Sequence, residues 1–386
     1  MKTLTPRERV LRALSHQEVD RAPIDLGGTH NSTMGTGAYN NFKAYLGVDA
    51  PAATLNQAFD IVRMDEQVLA RLPVDTRAVF ARPPAHTQSR WLDERTLISD
   101  WGVTYRRPEG WHQFDVVAHP LAEAGIADLE RYPWPDVEDP ARYAGLADLA
   151  RNLHENSPYA VCATAMDTVI FDRAWELRGM QQFLEDLLIN PEFALALLEK
   201  VADLQYRRHA CFLREVGKYI DVVVIADDMG VQKGLLLRPQ LYRQRIKPFH
   251  ARYVQVIRQY TDAKILNHAC GSIVDLVEDY IEIGIDALNP MQVSATGMSP
   301  QNLKARFGGR MTFWGGIDTQ YVLPKGTPDD VRQAVRSTLD VMGLDGSYVL
   351  GAVHNVQDDV PAANVWAMLD EAATYRPACA GRSIAG

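Results

Sequence analysis

The chain has 386 residues, 47% of them hydrophobic and 23% charged, which is a globular composition and excludes a disordered or fibrous chain. A formal net charge of −9, a pI near 5.6 and the absence of any lysine/arginine run exclude an electrostatic footprint for nucleic acid or an anionic membrane, leaving a small molecule as the expected partner. The four cysteines, Cys162, Cys211, Cys270 and Cys379, form no dense disulfide pattern, so a reducing, cytoplasmic setting is expected.

The opening MKTLTPRERVLRAL is charged throughout and predicts an amphipathic helix in place of a signal segment, and no run of about 18 apolar residues follows anywhere. Residues 22–26 predict a first strand. Residues 27–37, GGTHNSTMGTG, form a polar glycine-rich loop, the candidate lid, from which His30 is expected to reach a substrate. A proline- and acid-rich connector spans 131–140. From there short β-branched runs alternate with helical periodicity, with strands predicted over 159–165, 221–226, 263–267, 286–289, 311–314 and 348–353. Asn190-Pro191-Glu192 and Thr327-Pro328-Asp329 predict capped helix starts, and Gly217, Gly284 and Gly343 predict helix ends. The pattern is that of βα units around a parallel sheet: one α/β barrel domain over 1–386, with N-terminal elaborations.

Catalytic groups of such barrels sit where the strands end. VVVIADDMG ends in Asp227 and Asp228, ILNHACG in His268 and Cys270, ALNPMQ in Asn289 and Gln292, TFWGGID in Asp318, and YVLGAVHNVQDD in His354, Gln357 and Asp358. Any one of these also fits a helix cap or a structural histidine. Together they place polar groups on one rim from five successive strands. Strand alternation aims one of Asp227 and Asp228 inward and the other away, and Asp228 is taken as the inward one. His268 and Cys270 share one loop, able to present a nitrogen and a sulfur to one Zn²⁺ at about 2.0–2.3 Å. A helix predicted to start just after them would favour the thiolate. Two ligands do not make a site, so a third is required.

The stretches HACG, GIDALNPMQ, LKARFGGRMTFWGGIDTQYVLPKGTPDDVRQAV and HNVQDDVPAANVWAML closely resemble the uroporphyrinogen decarboxylase superfamily, and within it the branch similar to cobamide-dependent methyltransferases. TPRERVLRALSHQEVDRAPID, LRGMQQFLEDLLINPEFALALLEKV and DDMGVQKGLLLRPQLYRQRIKPFH extend the resemblance over nearly the whole chain. It implies a (β/α)₈ TIM-type barrel with a deep cleft at the carboxyl rim. True decarboxylases of the superfamily hold their substrate's carboxylates with an N-terminal arginine-rich segment. Here that place reads APIDLGGTHNSTMG, with no arginine between Arg21 and Arg63, which argues against a porphyrinogen substrate. The methyltransferase branch uses His-x-Cys and a later cysteine as zinc ligands. His268 and Cys270 match the first pair, no cysteine stands near the last strand, and His354 is the nearest candidate for the third place.

The favoured function is therefore a Zn²⁺-assisted methyltransferase moving a methyl group between a corrinoid, carried by a corrinoid protein, and a small acceptor, a thiol or a tetrahydrofolate. Asp228, Asp318 and His354 are the candidate catalytic residues, with His354 also a metal ligand, and His30, Asp227, Asn289, Gln292 and Gln357 are the candidate substrate contacts. Asp227, Asp228 or Asn289 would pair with the amide edge of a pterin acceptor. The alternative is a metal-independent decarboxylase or lyase of a small carboxylated substrate, with an aspartate stabilising a protonated intermediate and His268 or His354 moving the proton. A third reading is a non-enzymatic binding barrel, which leaves the convergent rim residues unexplained. A homodimer is the common assembly for such a chain.

Overall fold

The computed structural model describes residues 3–86, 89–111, 114–165 and 169–377. Seven parallel strands form its centre: β1 (Thr76–Phe80), β2 (Ala160–Thr164), β3 (Val222–Ala226), β4 (Lys264–His268), β5 (Ala287–Asn289), β6 (Thr312–Ile317) and β7 (Tyr348–Ala352). Each pairs with the next in chain order. The segment around Ile24 fills the gap between β7 and β1. Asp25 N donates to Leu350 O, and Asp75 N, just before β1, donates to Ile24 O, both at 2.8 Å. The strand predicted at 22–26 is thus the eighth stave of a closed TIM barrel, reduced to one bridge, Ile24 to Leu350, beside a proline that lacks an N–H.

Strand alternation sorts the side chains. Cys162, Val222, Val224, Leu266, Trp314 and Val349 point into the barrel, whereas Val161, Val223, Ile225, Ile265 and Phe313 face the surrounding helices. The predicted amphipathic helix is Pro6–Leu14, begun by a capping box between Thr5 and Glu8, and its Val10, Ala13 and Leu14 join the inward cluster as the barrel's floor. Arg9 ties that floor down, donating to Asp20 at 2.7 Å and to Asp75 at 2.5 Å. Burial would raise the Asp20 carboxyl, but Arg9 and the amides of Leu4 and Arg21 outweigh it and hold the group at about 2. A folded-state value below the unfolded one stabilises the chain above about pH 4 and loses that contribution as the pH falls towards 2. Asp20→Asn is accordingly expected to flatten the stability profile in that window, read from urea midpoints at stepped pH; an unchanged slope would refute it.

The six strands predicted after residue 158 are present within one to three residues at each end. β1 escaped prediction because Asp75, Thr76 and Arg77 make it look polar; all three are buried. The first half carries further β-structure where irregular elaboration was expected. Ala53–Asn56 pairs with Ile61–Arg63, and Arg90–Asp93, Thr96–Ile98, Thr104–Arg106 and Asp115–Ala118 form a four-stranded antiparallel sheet. Thr327 caps its helix as predicted, whereas Asn190 makes no side-chain cap. The glycine-rich loop is not a loose lid. Thr33 Oγ1 donates to Val62 O at 2.6 Å, Thr29 and Ser32 bond each other, and most of the segment is buried. Gly37 is required there, since a Cβ would sit 2.2 Å from the carboxylate of Asp358, which accepts from Ala38 N and fastens the next helix to the loop after β7. Among the described residues no helix is long and apolar enough to cross a membrane.

Candidate metal centre

Register places the chemistry. Ala226, His268 and Asn289 stand level across β3, β4 and β5, so residues just beyond them share the barrel's carboxyl mouth. Beyond β4 the chain turns through Gly271 at φ +86°, where a Cβ would lie 2.5 Å from the Gly230 carbonyl carbon. That turn folds Cys270 back towards His268: the sulfur lies 3.2 Å from His268 Nε2. His354, from the loop after β7, brings its ring to 5.2 Å from the His268 ring. One ligand atom from each of His268, Cys270 and His354 lies within 4.8 Å of the others.

The surroundings suit a metal. His268 Nδ1 lies 2.5 Å from Asn289 Oδ1, an acceptor that requires the proton on Nδ1 and leaves the Nε2 lone pair facing the sulfur. Burial holds the His268 imidazole at about 4 and His354 at about 3, so both rings are neutral donors at pH 7. Cys270 departs from expectation. The helix expected just after it begins only at Val277 (Val277–Ile283), beyond a short 3₁₀ turn at Val274–Leu276, so its N-terminus is not directly behind the sulfur. Burial, together with the Asp228 and Asp172 carboxylates, pushes the bare thiol up, so forming the thiolate calls for a cation at the site. A His₂Cys set of two imidazoles and one thiol, with the tautomer fixed from behind, fits Zn²⁺.

Cys270 and His354 face a cavity of about 290 Å³ that Gln292, Asp318, Ser294 and Phe59 also wall, whereas His268, 3% exposed, is not on its wall. Gln292 is also tied back, accepting from Gly271 N at 2.6 Å and donating to Gln232 at 2.8 Å. Asp318 is on the wall, but its Oδ1 accepts from Gln320 N and Tyr321 N and shapes its own loop. Asp228 points inward behind the cysteine, Oδ1 accepting from Cys270 N at 2.7 Å, and it is close enough to His354 to act on its charge. His30 is buried beside the triad, its ring edge-on to Phe59 at 6.0 Å, and its charge would act on both ligand histidines.

Three expected substrate contacts are placed otherwise. Asp227 points outward, engaged by the amides of Ile170, Phe171 and Asp172 and by His250. Asn289 stands behind His268, and the Gln357 amide donates to its own loop at Asn355 O. Sequence reasoning missed Asp172, which accepts from Asp228 N at 2.8 Å, and His250; each lies in a helix already rich in charge, FDRAWELR and KPFHARYVQVIR, so nothing in the pattern marks it. Phe59 gave no signal at all.

Two results are expected here. His354→Ala should weaken metal retention while leaving the fold intact, checked by metal content after dialysis against a chelator; full occupancy would remove His354 from the ligand set. Asn289→Ala should cost about 10–100-fold in metal affinity, because the imidazole loses its orienting partner. Unchanged affinity in a competition titration would rule that orienting role out.

The uroporphyrinogen decarboxylase (URO-D) family model matches residues 99–375. A uroporphyrinogen decarboxylase of Alkalilimnicola ehrlichii is 24% identical over 374 residues, covering 94% of this chain and 92% of that protein. A methylcobamide:CoM methyltransferase of Methanosarcina mazei is 23% identical, covering 97% of this chain and 100% of its own. The solved structure of a methyltransferase from Methanosarcina mazei superimposes with a TM-score of 0.61 at 18% identity, covering 96% of this chain and 98% of that one, which establishes the shared fold.

Proposed function

The chain belongs to the uroporphyrinogen decarboxylase family, and on that premise we propose that it is a methyltransferase moving a methyl group between a corrinoid, presented by a partner protein, and a small thiol or folate acceptor. The observation that carries this reading is the convergence of His268, Cys270 and His354, two of which, Cys270 and His354, line the rim cavity. A decarboxylase has little use for a thiol between two neutral imidazoles. The relatives of both names leave the choice of reaction to this site.

His268, Cys270 and His354 would hold Zn²⁺, which when bound supplies Lewis acidity that favours a thiolate at neutral pH. Asn289 keeps the His268 Nδ1 proton in place and so keeps Nε2 a donor. The acceptor lies in the cavity above the triad, with Gln292 and Asp318 on the wall beside it. The acceptor would lose its X–H proton and form the new bond to the methyl carbon with the freed lone pair, while a bound corrinoid would supply the methyl group and retain the electron pair of the bond that is broken. Asp228, whose Oδ1 accepts from Cys270 N, is the carboxylate we assign to take that proton. Phe59 stands on the cavity wall, with the buried His30 ring packed edge-on against it.

The test is incubation with methylcobalamin and a panel of thiols and tetrahydrofolate, following the corrinoid spectrum and carbon dioxide release together. Demethylation dependent on acceptor and enzyme is expected. Carbon dioxide release that survives chelation, with no change in the corrinoid, would establish the decarboxylase or lyase reading instead.

A further inference from the structure

The cavity faced by Cys270 and His354 holds no lysine or arginine among its described lining residues. Its one ionisable group besides those two candidate ligands is Asp318, and the rest of the wall is amides, hydroxyls and apolar groups. Asp318 uses one oxygen on its own loop, Oδ1 accepting from Gln320 N at 2.5 Å and from Tyr321 N at 2.8 Å. Its Oδ2 has no hydrogen-bond or ion-pair partner among the described residues, although the residue is only 9% exposed. Lys325, at the end of the short helix that follows, lies 4.7 Å over the Tyr321 ring instead. A carboxylate half engaged and shielded from bulk water calls for a cationic partner. A divalent metal at the triad would be matched by two sulfurs, those of Cys270 and of a thiol acceptor, so the Asp318 charge would stay unbalanced.

We propose that Asp318 selects the acceptor by charge: the cavity takes a short thiol whose far end carries an ammonium group, and it disfavours the same thiol ending in sulfonate or carboxylate. An ammonium has three donors and no acceptor, which suits Oδ2 together with the neutral oxygens of the wall. The Phe59 ring on the same wall also favours a cation over an anion. At about 290 Å³ the cavity lies at the small end of ligand pockets, so the chain between sulfur and nitrogen is short. This deepens the methyl-transfer reading and rests on it only in calling the bound thiol the acceptor; the charge preference of the cavity does not.

Calorimetric titration with cysteamine, 2-mercaptoethanol and 2-mercaptoethanesulfonate, at equal metal content, tests this, because the three share one carbon chain and differ in the far group. Affinity is expected to fall in that order, with the ammonium thiol at least about tenfold tighter than the sulfonate, as a hydrogen bond to a charged group would give. Asp318→Asn keeps an acceptor oxygen for the loop amides and removes the charge, so the preference should largely vanish. Each probe's own thiol acidity is common to both proteins and cancels in that comparison. Gln320→Lys, at an exposed residue of the same wall, supplies an ammonium from the chain itself and should have the same effect. No preference in the unaltered protein, or one that survives Asp318→Asn, would overturn the proposal. If Asp318→Asn fails to melt cooperatively, Gln320→Lys takes its place in that comparison. Methylcobalamin turnover is scored separately: turnover without the charge preference removes the selectivity alone, and the preference without turnover removes the methyl-transfer reading alone.

Discussion

Cys270→Ser is expected to strip the metal and abolish methyl transfer together, each by a factor on the order of 100 or more, since altering even an outer-shell partner costs about 10–100-fold. Serine keeps the size and the backbone turn at Gly271, so the fold and the thermal midpoint should change little. It replaces a soft sulfur by a hard hydroxyl that stays protonated at neutral pH, which a His₂Cys set for Zn²⁺ does not tolerate. The bare thiol sits in a place that disfavours its anion, buried and near the carboxylates of Asp228 and Asp172. Such a position is unfavourable for a free nucleophile and favourable for a metal ligand, whose charge a cation offsets. Metal content by elemental analysis, corrinoid demethylation and a melting curve on the same preparation check the result. A serine variant that turns over without metal would end the metal-centred reading. One that keeps metal but loses turnover would make Cys270 a substrate contact and move the third ligand elsewhere.

Much of this centre was legible in the sequence because parallel barrels fix side-chain direction by parity and function by position. His268 and Cys270 follow β4 at a spacing that puts both at the mouth, and β7 delivers His354 to the same level. Parity also separated the two adjacent aspartates: Val222 and Val224 point in and Val223 and Ile225 point out, and beyond the strand Asp228 reaches Cys270 N while Asp227 turns to the amides of Ile170, Phe171 and Asp172. Hydrogen bonding was not legible. Asn289, Asp318, Gln357 and Asp358 end strands or start loops exactly as substrate contacts would, yet the structure engages them with His268, with Gln320 and Tyr321 amides, with Asn355 and with Ala38 N. Only the partner distinguishes a cap from a contact, and partners lie up to 320 residues away. The same remoteness hid β1, whose Asp75 and Arg77 look solvent-facing until Arg9, Arg21 and Glu66 are placed beside them.

Asp227→Ala is expected to destabilise the protein by about 3–5 kcal/mol, the cost of removing one partner from a buried charged network. Its carboxylate is 2% exposed as a residue and accepts from Ile170 N at 3.1 Å, Phe171 N at 2.8 Å, Asp172 N at 2.8 Å and His250 Nε2 at 2.9 Å. Three of those donors are the free amides at the start of helix Phe171–Arg178, which nothing else caps through a side chain. The helix start in turn fixes Asp172, whose Oδ2 accepts from Asp228 N at 2.8 Å, and Asp228 Oδ1 holds Cys270 N at 2.7 Å. A continuous line of carboxylates therefore runs from His250, outside the barrel, to the Cys270 loop inside it. Truncating Asp227 should lower the urea midpoint first and loosen metal retention with it, although its side chain reaches neither the candidate ligand side chains nor the metal-facing cavity; only its backbone N–H, donating to His268 O at 2.9 Å, touches the site. Asp227→Asn keeps the shape and one acceptor oxygen but lacks the charge, so it should fall between the alanine variant and the original. If the alanine variant unfolds at the original urea concentration and instead raises the acceptor KM, Asp227 is the substrate contact that its place after β3 suggested, and the line of carboxylates carries no structural weight.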